Sequence, residues 1–389
     1  MNTEEIIKAE ELYFINTFNR QPIVLDKGKG MEVYDKDGKK YLDFLGGIAV
    51  NSLGHAHPKV VDAIKKQSEK LIHISNIYYN EPSVILAKKL CELTGLNKVF
   101  FANSGAEANE GAIKLALKHT GKSEIITMHK SFHGRTLVTL AATGQEEYKK
   151  DYLKTLPQGF KHAEFGNIES IKEQITDETA AIMIEPIQGE GGVNIPPKDF
   201  FKELNTLCKE KEILLILDEI QTGFGRCGVM FANELFDINF DIMCIAKAMG
   251  GGVPIGAFLA SDKVASSFSP GDHGTTFGGG PLICAAGNGA IKAIEEENLV
   301  NNSKEMGKYF KNKLLELKEK YDIIKEVRGY GLMIGIELGE PCGEYVNTLR
   351  KKGFLANCTA GNVLRFLPPL IITENEIDQL IIVLDEILE

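Results

Sequence analysis

The sequence predicts an α/β protein: a large domain on a mostly parallel sheet, then a smaller α+β domain. Three observations carry this. Helical stretches at 58–70, 82–94, 106–119 and 197–211 are interleaved with apolar, β-branched runs at 98–101, 124–128, 180–185, 213–217, 242–246 and 255–259. Runs apolar on both faces and spaced by helices mark parallel strands in a layered fold. Beyond a helix near 281–297 that rhythm breaks, and 389 residues, 43% of them hydrophobic, suffice for two or three packed units.

Residues 2–13 read as a short helix. Met31 to Tyr34 and Tyr41 to Phe44 flank Asp35-Lys36-Asp37-Gly38, a hairpin turn signal. These lie in an N-terminal segment, 1–45, expected to pack with the small domain. The interleaved stretch makes the large domain, 46–288. The remainder, 289–389, reads as a long amphipathic helix at 300–320, strands at 323–328 and 332–338, a helix at 341–352, a strand at 363–366 and a closing helix at 374–388. No repeat at a period of 20 to 50 residues is evident.

Composition narrows the function. Asp and Glu number 54 against 44 Lys and Arg, a formal net charge of −10, which argues against an electrostatic grip on nucleic acid or on an anionic membrane. The start, Met1-Asn2-Thr3-Glu4-Glu5, has no signal-peptide character, and no apolar run nears the roughly 20 residues of a membrane span. A cytoplasmic location is expected. The seven cysteines (Cys91, Cys208, Cys227, Cys244, Cys284, Cys342, Cys358) are scattered without Cys-x-x-Cys, so neither a disulfide framework nor a zinc site is readable. They read mostly as small core residues. Glycine is in excess, 39 of 389, and clusters beside apolar runs, as where backbone approaches a ligand closely.

The chemistry gathers at strand ends, where ligands bind in open α/β sheets. Ile213-Leu214-Leu215-Ile216-Leu217 leads into Asp218-Glu219, and Ile242-Met243-Cys244-Ile245-Ala246 leads into Lys247, with Gly250-Gly251-Gly252 beyond. A lone lysine in such a place more often snorkels to the surface. This setting points instead to an amine made nucleophilic by desolvation, whose characteristic task is Schiff-base formation. Asp218, which alone would read equally well as a loop cap, suits the acid that keeps a pyridine nitrogen protonated, as pyridoxal 5′-phosphate (PLP) requires.

A phosphate needs an anion site. Val99-Phe100-Phe101 is followed by the turn Asn103-Ser104-Gly105-Ala106-Glu107 and a helix, whose first N–H groups can take an anion, although an ordinary cap with a capping box explains the same residues. In Ser131-Phe132-His133-Gly134-Arg135-Thr136, Phe132 can stack on a planar ring and Arg135 can fork onto a carboxylate. Arg365 is a second candidate clamp, and either Glu185 or Glu190, around the turn Glu185-Pro186-Ile187-Gln188-Gly189-Glu190, can neutralise an arginine when substrate is absent.

Together with Asp218-Glu219-Ile220-Gln221-Thr222-Gly223 and His273-Gly274-Thr275-Thr276-Phe277-Gly278-Gly279, these runs resemble the class III PLP-dependent aminotransferases, in order from about residue 13 to the end. The resemblance implies a fold type I homodimer with active sites at the subunit boundary. It places Lys247 as the Schiff-base lysine, Asp218 on the pyridine nitrogen, Gln221 near the phenolic oxygen and Phe132 on the ring. Gly105 and Ala106 would hold the phosphate by their amides, helped by Thr276 of the other subunit. Arg135 and Thr275 would contact substrate, and Arg365, paired with Glu190 at rest, would take the carboxylate of glutamate or 2-oxoglutarate.

Within the family, a closer resemblance carried by Gly46-Gly47-Ile48-Ala49-Val50-Asn51, Leu53-Gly54-His55-Ala56-His57-Pro58 and Ser75-Asn76-Ile77-Tyr78-Tyr79 implies N-acetylornithine as donor of its δ-amino group to 2-oxoglutarate, a step of arginine biosynthesis. Ornithine, N-succinylornithine and 4-aminobutyrate are the alternative donors. Two positions depart from the family pattern: Phe18 replaces a tyrosine that helps hold the substrate carboxylate, and Gly280 replaces the asparagine before Pro281.

Competing readings have specific weaknesses. Gly223-Phe224-Gly225-Arg226-Cys227-Gly228 matches the dinucleotide pattern of a nicotinamide-dependent dehydrogenase, but five residues separate it from the strand and no convincing helix follows. A non-enzymatic binding module would not need Lys247 and Asp218 together. His55 and His57 lack a third ligand nearby, so no metal is expected.

Overall fold

Strands β1 (Leu25–Lys29), β2 (Glu32–Asp35) and β3 (Lys40–Asp43) form an antiparallel meander in the computed structural model, which describes residues 1–389. Asp35 shapes the expected turn, accepting from the backbone N–H of Asp37 and Lys39. Before it, Asn2 and Glu5 form a capping box for the helix Thr3–Tyr13.

Seven strands make the central sheet: β4 (Lys98–Ala102), β5 (Glu124–Met128), β6 (Phe160–Ala163), β7 (Thr179–Ile184), β8 (Leu214–Asp218), β9 (Ile242–Ile245) and β10 (Gly256–Ala260). Their spatial order is β4-β10-β9-β8-β7-β5-β6, and only β10 runs against the rest. Every residue of β7, β9 and β10 is buried, because helices cover both faces. One of these, Gly105–Thr120, packs Ala108, Ala112 and Ala116 onto the sheet, and ends where Gly121 takes the left-handed conformation. Its Gly111 is required by packing, since a Cβ there would stand 2.2 Å from the Phe258 ring.

The C-terminal part has β11 (Ile324–Tyr330), β12 (Met333–Leu338), β13 (Phe354–Leu355), β14 (Asn357–Thr359) and β15 (Val363–Phe366). Four of these pair antiparallel in the order β11-β12-β15-β14, and the helices Leu299–Lys320 and Glu374–Leu388 contribute Phe310, Leu314, Leu380 and Leu384 to the core. Strand β13 instead joins β3 in parallel, tying the N-terminal meander to this part of the chain. No helix is long and apolar enough to cross a membrane.

The structure corrects the sequence reading in several places, and the short strands β1, β13 and β14 were not read from the sequence. Strand β6 was not foreseen, because Phe160-Lys161-His162-Ala163 is an edge strand whose polar residues hide its apolar signal. The run at 242–246 ends as a strand at Ile245, and Lys247 opens a 3₁₀ turn, Lys247–Gly250. Cys342 and Cys358 form a disulfide, Cα atoms 5.6 Å apart. Of the rest, Cys208, Cys227, Cys244 and Cys284 are buried and Cys91 is half-buried.

Candidate active site

Because β4, β5, β7, β8 and β9 point the same way, their carboxyl ends share one edge of the sheet. A cavity of about 530 Å³ opens there, and Lys247, Asp218, Gln221, Glu185, Glu190 and Phe132 are among its lining residues.

Asp218 closes β8 and is 4% exposed. Its Oδ2 accepts from His133 Nδ1 at 2.8 Å and from Asn109 Nδ2 at 2.9 Å; Oδ1 accepts from the Ile220 N–H at 3.1 Å. Burial alone would lower the His133 pKa, but the Asp218 carboxylate outweighs it and the net shift is upward. His133 Nε2 and Asn109 Oδ1 have no hydrogen-bond partner.

Lys247 follows β9, the neighbour of β8, so the amine and the acid stand on adjacent strand ends. Its φ of 48° lies in the left-handed region, which costs a residue with a Cβ about 1–3 kcal/mol and marks a held conformation. Burial lowers the lysine's pKa, partly opposed by Glu190.

Glu190 and Arg365 form an ion pair at 2.6 Å, and Gln221 bridges them, donating to Glu190 at 3.1 Å and accepting from Arg365 at 3.1 Å. Burial raises the Glu190 pKa, but Arg365 beside it wins and brings it down to about 2. Arg365 is fully buried, and its Nη2 is unpartnered. Of the two glutamates weighed for this pairing, Glu190 takes it. Glu185 accepts from the N–H of Phe132 and Gly189, and burial pushes its pKa up to about 7.

On the opposite wall, Ser104 caps the helix Gly105–Thr120 through the Glu107 N–H, while Glu107 reaches back to the Asn103 N–H. Gly105 and Ala106 line the cavity, at the helix end whose first N–H groups lack intrahelical partners. Arg135 lies 3.6 Å over the Tyr148 ring, and Tyr148 meets Phe132 edge-on. Thr275 does not line the cavity but accepts from Asn103, which does; Thr276 is exposed and does not line its own chain's cavity. Phe18 is also exposed, with Arg20 over its ring.

Sequence reasoning missed Asn109 and gave no role to His133. A buried asparagine in an alanine-rich helix has no periodic signature, whereas His133 stands within Phe132-His133-Gly134-Arg135, the run that carries the family resemblance. The 223–228 loop is no dinucleotide site: the next helix is the four-residue Asn233–Phe236, and Arg226 is buried, bonded to Ser52 and the carbonyls of Leu332 and Pro368. His55 and His57 face separate carboxylates, Asp43 and Glu297.

The donor set fits PLP: an amine with lowered pKa, a buried acid with an oxygen open to one more donor, an aromatic wall and a helix N-terminus. Residues 15–388 match the family model described as aminotransferase class-III. The chain is 56% identical to acetylornithine aminotransferase of Methanocaldococcus jannaschii, over all of this chain and 98% of that one. Among solved structures, ornithine aminotransferase of Toxoplasma gondii superposes with a TM-score of 0.95 at 32% identity, covering 99% of this chain and 94% of that one. Acetylornithine aminotransferase of Elizabethkingia anophelis gives 0.89 at 33%, covering 100% and 99%. The chain belongs to the class III aminotransferases, enzymes that use pyridoxal 5′-phosphate to move amino groups between amino acids and 2-oxo acids.

Proposed function

We propose that this aminotransferase moves the δ-amino group of N-acetylornithine to 2-oxoglutarate, giving N-acetylglutamate 5-semialdehyde and glutamate, a step of arginine biosynthesis in the cytoplasm. The observation that carries it is the pairing of Lys247 and Asp218 on adjacent strand ends, beside a buried arginine with an unpartnered nitrogen. Full-length 56% identity to an acetylornithine aminotransferase favours this donor.

PLP, when bound, supplies the electron sink that lets the bond to a substrate hydrogen break. Lys247 would hold it through Nζ, and the same nitrogen would take and return the proton at the substrate carbon; its lowered pKa favours the neutral amine this needs. Asp218 would keep the ring nitrogen protonated, Gln221 would face the phenolic oxygen, and Phe132 would pack on the ring. Gly105 and Ala106 donate to the phosphate. Arg135 takes the carboxylate end of the donor, and Thr275, bonded to Asn103 of the cavity wall, is the second substrate contact. Arg365 parts from Glu190 to take the carboxylate of 2-oxoglutarate.

Thr276 would reach the phosphate bound by a second subunit in a homodimer, a reading its exposure here supports. The segment 1–45 packs with the small domain 289–389 beside the large domain 46–288, and the pairing of β3 with β13 supports this.

The test is kcat/KM for N-acetylornithine, ornithine, N-succinylornithine and 4-aminobutyrate with 2-oxoglutarate. N-acetylornithine is expected to rank first. Ornithine ranking first would overturn the donor assignment and leave the class standing.

A further inference from the structure

We infer that the Cys342–Cys358 disulfide is a thiol-exchange site that sets the acceptor affinity, because β14 carries this bond on one face and the contacts to the Glu190–Arg365 pair on the other. The inference rests on the reading of Arg365 as the carboxylate clamp.

Side chains alternate across a strand. In β14, Asn357 and Thr359 therefore share one face and Cys358 has the other. On the first face, Arg365 Nε donates to Asn357 Oδ1 at 3.3 Å, and the Thr359 hydroxyl donates to the Glu190 carbonyl. On the second, Cys358 is joined to Cys342, the residue that precedes the helix Gly343–Lys351. Strand β14 is an edge strand of three residues, paired only with β15, so few other bonds fix it. The disulfide closes a loop across a sequence separation of 16, holding that edge against the helix.

Cys358 is partly exposed whereas Cys342 is buried, so Cys358 Sγ is the sulfur an incoming thiolate reaches. One thiolate of a dithiol attacks Cys358 Sγ, and the bond to Cys342 breaks. Cys342 leaves as a thiolate and takes a proton. The second thiol of the reductant then displaces Cys358, which is protonated in turn. Two electrons pass to the protein, and the reductant leaves as its own disulfide. Released from the helix, β14 holds Asn357 and Thr359 less firmly, and Arg365 loses its fixed position.

The probe is dithiothreitol acting on the cofactor-loaded enzyme, removed without air before assay. Thiol titration of the denatured protein should count five free cysteines before treatment and seven after. KM for 2-oxoglutarate should rise about 5- to 10-fold, the weight of one hydrogen bond, with KM for the donor unchanged. Cys342→Ser and Cys358→Ser should reproduce the raised KM and lose the response to dithiothreitol. Seven thiols before treatment, or an unchanged KM after full reduction, would overturn the inference. Arg365→Lys is run alongside: an unchanged acceptor KM in that variant overturns the clamp reading, whereas a raised one combined with no effect of reduction overturns only the disulfide's role.

Discussion

His133 Nδ1 lies 2.8 Å from Asp218 Oδ2, with both residues buried, and Asn109 donates to the same oxygen and to the His133 carbonyl. The acid is thus held from the helix after β4 and from the loop after β5. Removing a hydrogen-bond partner from a buried charge costs about 1.5–3 kcal/mol. Asn109→Ala and His133→Gln are therefore expected to lower kcat by roughly 10- to 100-fold while cofactor content, read by absorbance, is retained. Parental turnover in both would remove this support from the account.

Gly256 packs beneath the anion-binding turn: a Cβ there would stand 2.3 Å from the Ser104 carbonyl oxygen. Backbone cannot yield as a flexible side chain can, so Gly256→Ala should cost about 1–3 kcal/mol and displace Gly105 and Ala106. Cofactor titration is expected to show weaker PLP binding. Parental affinity would place the phosphate elsewhere.

Glu219 is fully buried, accepting from the Asn233 N–H at 2.7 Å and from the Thr222 hydroxyl, and burial pushes its pKa up to about 7. Between its ordinary value of 4.5 and about 7 the folded state binds the proton that the unfolded state has lost. Stability from this group is present below 4.5 and falls as pH rises through that window, by up to roughly 3 kcal/mol. Denaturant midpoints of the parent and of Glu219→Gln should diverge in slope between these pH values; parallel curves would contradict the shift.

Arg226 joins Ser52, Leu332 and Pro368 from a fully buried position without a carboxylate partner. Arg226→Met should leave the carbonyls of Leu332 and Pro368 unpaired, at about 1–3 kcal/mol each, while Ser52 keeps its bond to the Ala49 carbonyl, and the loss is offset by the relief of a buried charge. A net loss of stability, measured by thermal unfolding, is expected; a gain would mean that the desolvation of the guanidinium outweighs its bonds.

Much of this site was legible because its main residues stand directly behind apolar runs. The runs before Asp218 and Lys247 became β8 and β9, whereas the helix end at Gly105 and Ala106 read equally well as an ordinary cap until the family resemblance gave it a phosphate. What stayed hidden depends on contacts between distant segments. Asn109 looks like any polar residue in a helix until Asp218 is folded against it. Cys342 and Cys358 meet only because the chain, after the helix Gly343–Lys351 and β13, doubles back so that β14 lies beside the start of that helix. Thr276 matches a motif, yet its own chain leaves it exposed.

The central claim is that Lys247 carries the cofactor. Borohydride reduction of the PLP-loaded enzyme followed by peptide mapping should put the phosphopyridoxyl mass on Lys247 alone, and Lys247→Ala should lose that adduct and at least roughly 10²-fold in turnover. An adduct on another lysine, or none in a protein that still transaminates, would contradict the account.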